Sequence, residues 1–282
     1  MTTAIDRQPD GFGGERVADP LVCVVLPTYN EADNLPAMVA ALLALAIPHL
    51  LVVVVDDASP DGTGQVADRL ASLHPGQVYV LHRTGERGLG RAYVEGFARA
   101  LHLGAQFVVQ MDADFSHNPD DVPRLLAAAQ QADLVIGSRY VEGGGLDSDW
   151  NWSRRFLSWW ANKVWAQLFL GTAIQDATAG FRCWRRATLE GIGLQRVHSN
   201  GYVFQVEMSF MAERLGYRIV EIPIFFEDRR VGSSKMSWGV KLEATWRTVA
   251  LRWRHRHLAR EGRMRTPALA PDAPGMQGGA PS

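Results

Sequence analysis

Five apolar runs set the rhythm of the first half of the chain. LVCVVLP (21–27) and LLVVVVDD (50–57) are apolar and β-branched without alternation, the pattern of strands buried on both faces. VYVLH (78–82), FVVQM (107–111) and LVIGS (134–138) continue the series. The segments between them, 33–46, 63–73, 89–103 and 120–131, read as helices. Strand–helix alternation of this kind predicts an α/β fold, a doubly wound and mostly parallel sheet with right-handed crossovers. Residues 1–18 and 266–282 are rich in Gly, Pro and polar residues and read as disordered tails.

In doubly wound sheets the chemistry gathers at the carboxyl ends of the strands. Three of the predicted strands end in polar clusters: PTYNE (27–31), DDASPDGTG (56–64) and MDADFSHNP (111–119). Asp112 and Asp114 leave an apolar strand one residue apart. Such a pair repels itself beside a core unless a cation compensates. The plain alternative is a loop with an Asx-turn and a helix cap at Ser116 or Asn118. With acidic groups converging on one sheet edge, a divalent ion with oxygen ligands is the expected compensation.

Other motifs are absent or point elsewhere. There is no G-x-x-x-x-G-K-[ST]. GERGLG (85–90) has the wrong order for a dinucleotide fingerprint and reads as a flexible loop into a helix. No Cys/His spacing suits zinc, and no nucleophile–base pair is visible by spacing. His255 and His257 fall in a basic segment and read as surface groups.

Composition changes the picture in two places. The two cysteines, Cys23 and Cys183, cannot form a disulfide framework, and Cys23 reads as a core residue. With no apolar leader and no run of about 18 apolar residues, a cytoplasmic protein is expected. Net charge is −1 overall, but residues 241–265 hold eight Lys/Arg against two acidic residues, +6 for that segment and −7 for the remainder. Such asymmetry points to an anionic partner, a membrane or a nucleic acid, with a solvated tail as the alternative.

Taken together and in order, PTYNE, DDASPDGT, MDADFSHNP, IGSRY (136–140), GYVFQVEM (201–208) and GSSK (232–235) resemble the polyprenol- or dolichol-phosphate mannosyltransferases, inverting enzymes of glycosyltransferase family 2 with the GT-A fold. The resemblance spans about residues 21–240. It implies a catalytic domain over 19–240, with Pro27, Tyr29 and Glu31 lining the nucleotide base and ribose. Val55 and Asp57 would meet the guanine-side edge. Asp112, Ala113 and Asp114 would hold the diphosphate through Mg2+ or Mn2+, with Ser116 a weaker third ligand or a helix cap. Arg139, Arg229 and Lys235 would meet phosphates, and Asp112, Asp114 and Arg139 form the implied catalytic set. Lys235 is one of only three lysines in an arginine-biased chain, which suits a compact charge on phosphate. The chain departs from the family at DATAGFR (176–182), where Ala179 stands in place of a frequent Ser; Asp176 and Arg182 remain.

The implied reaction moves mannose from GDP-mannose to a polyprenyl phosphate. The alternative is a UDP-sugar donor such as UDP-glucose. The lipid must come from a membrane surface. The Trp-rich stretch 150–170 reads as an interfacial helix within the catalytic domain, or as a buried core helix. The segment 241–265 reads as a basic amphipathic helix, with Trp246 and Trp253 among arginines. These readings place the enzyme on the inner face of the plasma membrane, with a separate membrane-anchoring protein as a candidate partner. A nucleic-acid partner is disfavoured, because the acidic strand ends would repel phosphates. A non-catalytic nucleotide-sugar sensor is a further alternative, against which Asp112, Asp114 and Arg139 count.

Overall fold

The computed structural model describes residues 19–146, 171–226 and 251–258. The expected interfacial helix at 150–170, Arg229, Lys235, both tails and most of 241–265 lie outside the described residues.

The apolar runs form the expected strands: β1 (Val22–Thr28), β2 (Leu50–Asp56), β3 (Val78–His82), β4 (Phe107–Gln110) and β5 (Leu134–Ser138). Between them run α1 (Leu35–Leu43), α2 (Thr63–Leu73), α3 (Leu89–His102) and α4 (Val122–Ala129). A short 3-10 turn, Pro119–Asp121, introduces α4 and is capped by Asn118, whose side chain accepts the Asp120 N–H. The cap at this turn is therefore Asn118 and not Ser116.

Four strands that the apolar pattern does not predict complete the sheets. They are β6 (Gly145–Leu146), β7 (Arg182–Arg185), β8 (Ile219–Pro223) and β9 (Phe225–Phe226). Helices α5 (Arg186–Ile192) and α6 (Gly201–Arg214) lie between β7 and β8. The main sheet has seven strands in the order β3-β2-β1-β4-β7-β5-β8. All its pairings are parallel except those of β7, which runs antiparallel between β4 and β5.

Both faces are covered, which is why β2 is apolar without alternation. Its six aliphatic residues are all buried, each contributing roughly 1.5–3 kcal/mol of transfer free energy. One core packs α1, α2 and α4 against one face of the sheet, around Leu35, Met38, Leu42, Val52, Val54 and Leu125. The other packs α3, α5 and α6 around Val53, Val55, Phe97, Trp184 and Phe204. Gly96 allows α3 to sit directly on the sheet, since a Cβ there would overlap Val25.

Strand order reverses between β1 and β4. Chain direction makes the carboxyl ends of β1, β2 and β4 neighbours on one edge, and a crevice opens at such a switch point. Three non-glycine residues with positive φ lie just past these strand ends: Asn30 (61°), Ala58 (55°) and Phe115 (61°). Each costs on the order of 1–3 kcal/mol, and such strain collects where a loop must be aimed.

The described part of the basic segment corrects one expectation. Leu251, His255 and Leu258 are buried, while Arg252, Trp253, Arg254, Arg256 and His257 are exposed. His255 is thus not a surface group: its Nε2 lies 2.8 Å from Oε1 of the fully buried Glu207 on α6. No helix among the described residues is long and apolar enough to cross a membrane.

Candidate active site

The loops after β1, β2 and β4 meet at the switch point. Asp112 and Asp114 are held there by neutral donors. The Tyr93 hydroxyl donates to Asp112 Oδ1 at 2.8 Å. Ser116 donates to Asp114 Oδ1 through both its Oγ (2.6 Å) and its backbone N–H (3.1 Å). These donors fix the orientation of the two carboxylates. Tyr93 cannot lose its proton here, because burial and the adjacent Asp112 push its pKa well above 10. The Asp112 backbone N–H donates to His117 Nδ1 at 3.2 Å, so that nitrogen carries no proton. Burial lowers the His117 pKa, although Asp112 and Asp114 pull it the other way. The neutral ring stacks on Phe181, with centroids 5.0 Å apart.

Whether these residues fit a divalent ion can be judged from their chemistry. Mg2+ takes one or two carboxylates and completes its shell with water and substrate phosphates. The Asp112/Asp114 pair supplies that oxygen-only donor set. Gly180 faces it, and an ideal Cβ there would stand 3.5 Å from Asp112 Oδ2 and 3.2 Å from the His117 ring, so glycine keeps this side open. Among the described residues no group of three or more His, Cys, Asp or Glu forms a self-sufficient metal cage. The donor set therefore fits an ion shared with a bound diphosphate. Ser116 spends its hydroxyl on Asp114, so its contribution in this arrangement is to orient that carboxylate.

The acidic residue after β2 is compensated differently. Asp57 forms an ion pair with the buried Arg83 and accepts the Gly88 N–H at 2.7 Å. Its charge is met within the protein and needs no metal. The GERGLG run is correspondingly well tied. Gly88 adopts φ +154°, and a Cβ there would overlap the Asn200 side chain. Asn200 accepts the Gly90 N–H at 3.0 Å. Arg87 donates to the Tyr29 hydroxyl (2.9 Å) and to the Ala58 carbonyl (3.1 Å), with its guanidinium 4.9 Å from the Tyr29 ring centroid. Tyr29, Asp57 and this loop therefore form one wall.

On the other side stands Arg139, just past β5. Asp176 binds its Nε and Nη2, each at 2.7 Å, and its backbone N–H at 3.0 Å. Thr178 Oγ1 accepts from Nη2 at 2.9 Å. Asp176 is itself placed by Glu221 on β8, whose two oxygens accept the Gln175 and Asp176 backbone N–H groups, each at 2.8 Å. Arg182 is wholly buried and donates to the carbonyls of Ala177, Ala179 and Gln205. Burial lowers its pKa to about 9, still charged at neutral pH, with Asp176 opposing the shift.

Of the implied site residues, the structure brings Tyr29, Asp57, Asp112, Ala113, Asp114 and Ser116 to one edge. Pro27 is the penultimate residue of β1, and Glu31 is held by Thr63, which accepts its backbone N–H at 2.9 Å. Val55 turns its side chain into the core against Gly96, apart from the cluster. Tyr93, His117, Arg83, Arg87 and Glu221 join the site without a sequence expectation, and Asp176 without an expected role. For Arg83 and Arg87 a signal existed, one arginine just before and one within a glycine-rich loop at a strand end. For Tyr93, Asp176 and Glu221 the partner is distant in sequence, whereas His117 lies five residues from Asp112 within the MDADFSHNP cluster.

A doubly wound sheet with paired carboxylates at its switch point is the arrangement of a GT-A type glycosyltransferase. A model described as glycosyl transferase family 2 matches residues 23–193, and the chain belongs to that family. It is 48% identical over 236 residues, 82% of this chain and 96% of the relative, to a protein of Micrococcus luteus named undecaprenyl-phosphate mannosyltransferase. It is 47% identical over 227 residues, 80% of this chain and 84% of the relative, to the polyprenol monophosphomannose synthase of Mycolicibacterium smegmatis. Among solved structures it is similar to a mannosyltransferase from Pyrobaculum calidifontis in complex with GDP-Man and Mn2+. That likeness has 23% identity and a TM-score of 0.52, covers 77% of this chain and 59% of the other, and bears on fold alone.

Proposed function

We propose that this glycosyltransferase moves mannose from GDP-mannose to a polyprenyl phosphate with inversion, giving a β-linked mannosyl phosphate and GDP. A single observation carries the reading: the relative that is 48% identical over 96% of its own length is named undecaprenyl-phosphate mannosyltransferase. The site geometry supports it. Tyr29, Glu31 and Asp57 lie where a nucleotide would enter the switch point, and Asp112 with Asp114 faces the position of its diphosphate.

Asp112 and Asp114 are the residues that would hold Mg2+ or Mn2+, with Tyr93 and Ser116 fixing their orientation. The bound ion would supply positive charge and Lewis acidity to a departing diphosphate. The acceptor shapes the remaining chemistry. A phosphate monoester has a second pKa near ~6 and arrives largely dianionic at pH 7, so no strong general base is needed. Asp176 is accordingly committed to Arg139. What the site must supply is positioning of one anion beside another. Arg139, locked in place by Asp176, is suited to that task, with Arg229 and Lys235 as further phosphate contacts. Direct attack on the anomeric carbon, opposite the departing GDP, inverts that centre.

The lipid places the enzyme at a membrane. Arg252, Trp253, Arg254 and Arg256 face outward from the described C-terminal segment, with Trp253 73% exposed and Arg256 4.2 Å from its ring centroid. Basic and Trp-bearing surfaces of this kind suit the headgroup region of an anionic bilayer. We place the protein peripherally on the inner face of the plasma membrane.

Turnover of GDP-mannose against UDP-glucose, with a short polyprenyl phosphate as acceptor and the product anomer read by NMR, tests the proposal. β-Mannosyl product from GDP-mannose supports it. Product from UDP-glucose alone overturns the donor, and an α-linked product overturns inversion.

A further inference from the structure

Glu207 lies in the middle of α6, is fully buried, and takes no part in the site described above. Its Oε2 accepts the backbone N–H groups of Ser199 (2.7 Å) and His198 (3.2 Å). Its Oε1 lies 2.8 Å from His255 Nε2. A buried carboxylate needs such partners, since burial without them is costly. His255 belongs to the segment whose outer face carries Arg252, Trp253, Arg254 and Arg256, and Leu251 and Leu258 seat the same segment in the α6-side core. Both ends of the Glu207 carboxylate are therefore in use, one on the C-terminal segment and one on the loop before α6.

That loop continues directly into Asn200. Asn200 Oδ1 accepts the N–H groups of Gly90 (3.0 Å) and Gly201 (2.9 Å), and its Nδ2 donates to the Arg87 carbonyl (3.3 Å). Gly88 in turn donates to Asp57, and Arg87 covers Tyr29. An unbroken series of hydrogen bonds and adjacent peptides thus runs from His255 through Glu207, Ser199 and Asn200 to the 85–90 loop. It ends on Tyr29 and Asp57, two of the residues that would line the nucleotide.

We infer that His255 is a positioning residue for the donor nucleotide. By seating on Glu207 it holds the Ser199–Asn200 loop, which holds the 85–90 loop against Tyr29 and Asp57. The surface offered to the membrane and the wall offered to the nucleotide share this one path. The inference rests on the reading of Tyr29 and Asp57 as nucleotide contacts.

The test is calorimetric binding of GDP in the presence of Mn2+, on the full chain. The variants are His255→Leu, His255→Gln, Asn200→Ala and the double variant His255→Leu/Asn200→Ala. His255→Leu and Asn200→Ala are each expected to weaken GDP binding at least about fivefold. The double variant should be no weaker than the worse single, because both cut one path. His255→Gln keeps a donor near the Nε2 position and should bind within about twofold of wild type. The kcat of His255→Leu at saturating donor should be unchanged while its KM rises. If His255→Leu does not fold, His255→Asn, whose shorter amide falls short of Glu207, takes its place in the cycle. Unchanged GDP affinity in the folded His255 variant, or strictly additive losses, would overturn the inference alone. A wild-type protein that binds no GDP would overturn the nucleotide reading together with it.

Discussion

Asp176 holds Arg139 with both carboxylate oxygens, each 2.7 Å from a guanidinium nitrogen, and takes the Arg139 backbone N–H as well. The carboxylate is fully buried and the arginine side chain only 10% exposed. Removing one partner of such a pair leaves the other charge uncompensated, at a cost of roughly 3–5 kcal/mol. Asp176→Ala should therefore lower the urea midpoint sharply and reduce transfer. Arg139→Lys should lose transfer as well, because a lysine cannot make the two-pronged contact. A double-mutant cycle on unfolding checks the coupling. Additive losses would show that the pair does not act as a unit.

Tyr93→Phe removes the hydroxyl from Asp112 Oδ1 and changes little else in a packed aromatic cluster with Phe97 and Phe204. Groups that orient metal-binding carboxylates typically matter by about 10–100-fold. The concentration of Mn2+ needed for half-maximal activity should rise by about tenfold. The activity reached at saturating Mn2+ should stay close to wild type.

Glu207 gives stability a pH dependence. Burial works to raise its pKa, but hydrogen bonds from His255 and Ser199 outweigh it and hold the value below the ordinary 4.5. A carboxyl with a depressed native pKa contributes stability that is fully present above its unfolded value and is lost as pH falls through the native value. The urea midpoint should decline as pH drops below 4.5, and Glu207→Gln should flatten that part of the profile while lowering the plateau at neutral pH.

Burial pushes the thiols of both Cys23 and Cys183 up to about 12. Neither should react with a thiol reagent in the native protein at pH 8, and both should react at once in guanidinium chloride. Rapid modification of the folded protein would contradict the packing of β1 and β7.

Strands β1, β2, β4 and β5 were legible because strands covered on both faces are apolar with little interruption, and β3, a half-buried edge strand, because its run is apolar and β-branched. Strand β7 was not. Its sequence, Arg-Cys-Trp-Arg, hides a buried strand behind Arg182, which is tolerated only because three backbone carbonyls receive its guanidinium. Strand β8 is short, half-buried and ends in Pro223. Asp112 and Asp114 stood out because acids seldom leave a core strand together. The Arg139–Asp176 clamp did not, since its partners are 37 residues apart and neither lies in a strand-end acidic cluster. His255 was misjudged from the charges around it. In an amphipathic segment the residue facing inward shares the composition of its exposed neighbours, and only Glu207, 48 residues away, reveals which side it takes.

The central claim is that Asp112 and Asp114 hold a divalent ion against the diphosphate of the donor. The most direct test is transfer of labelled mannose from GDP-mannose to a short polyprenyl phosphate, with and without Mg2+ or Mn2+, by wild type and Asp114→Ala. The account predicts metal-dependent product in the wild type and a loss of at least about a hundredfold in a variant that still folds. Undiminished transfer by Asp114→Ala, or wild-type activity untouched by chelation, would contradict it.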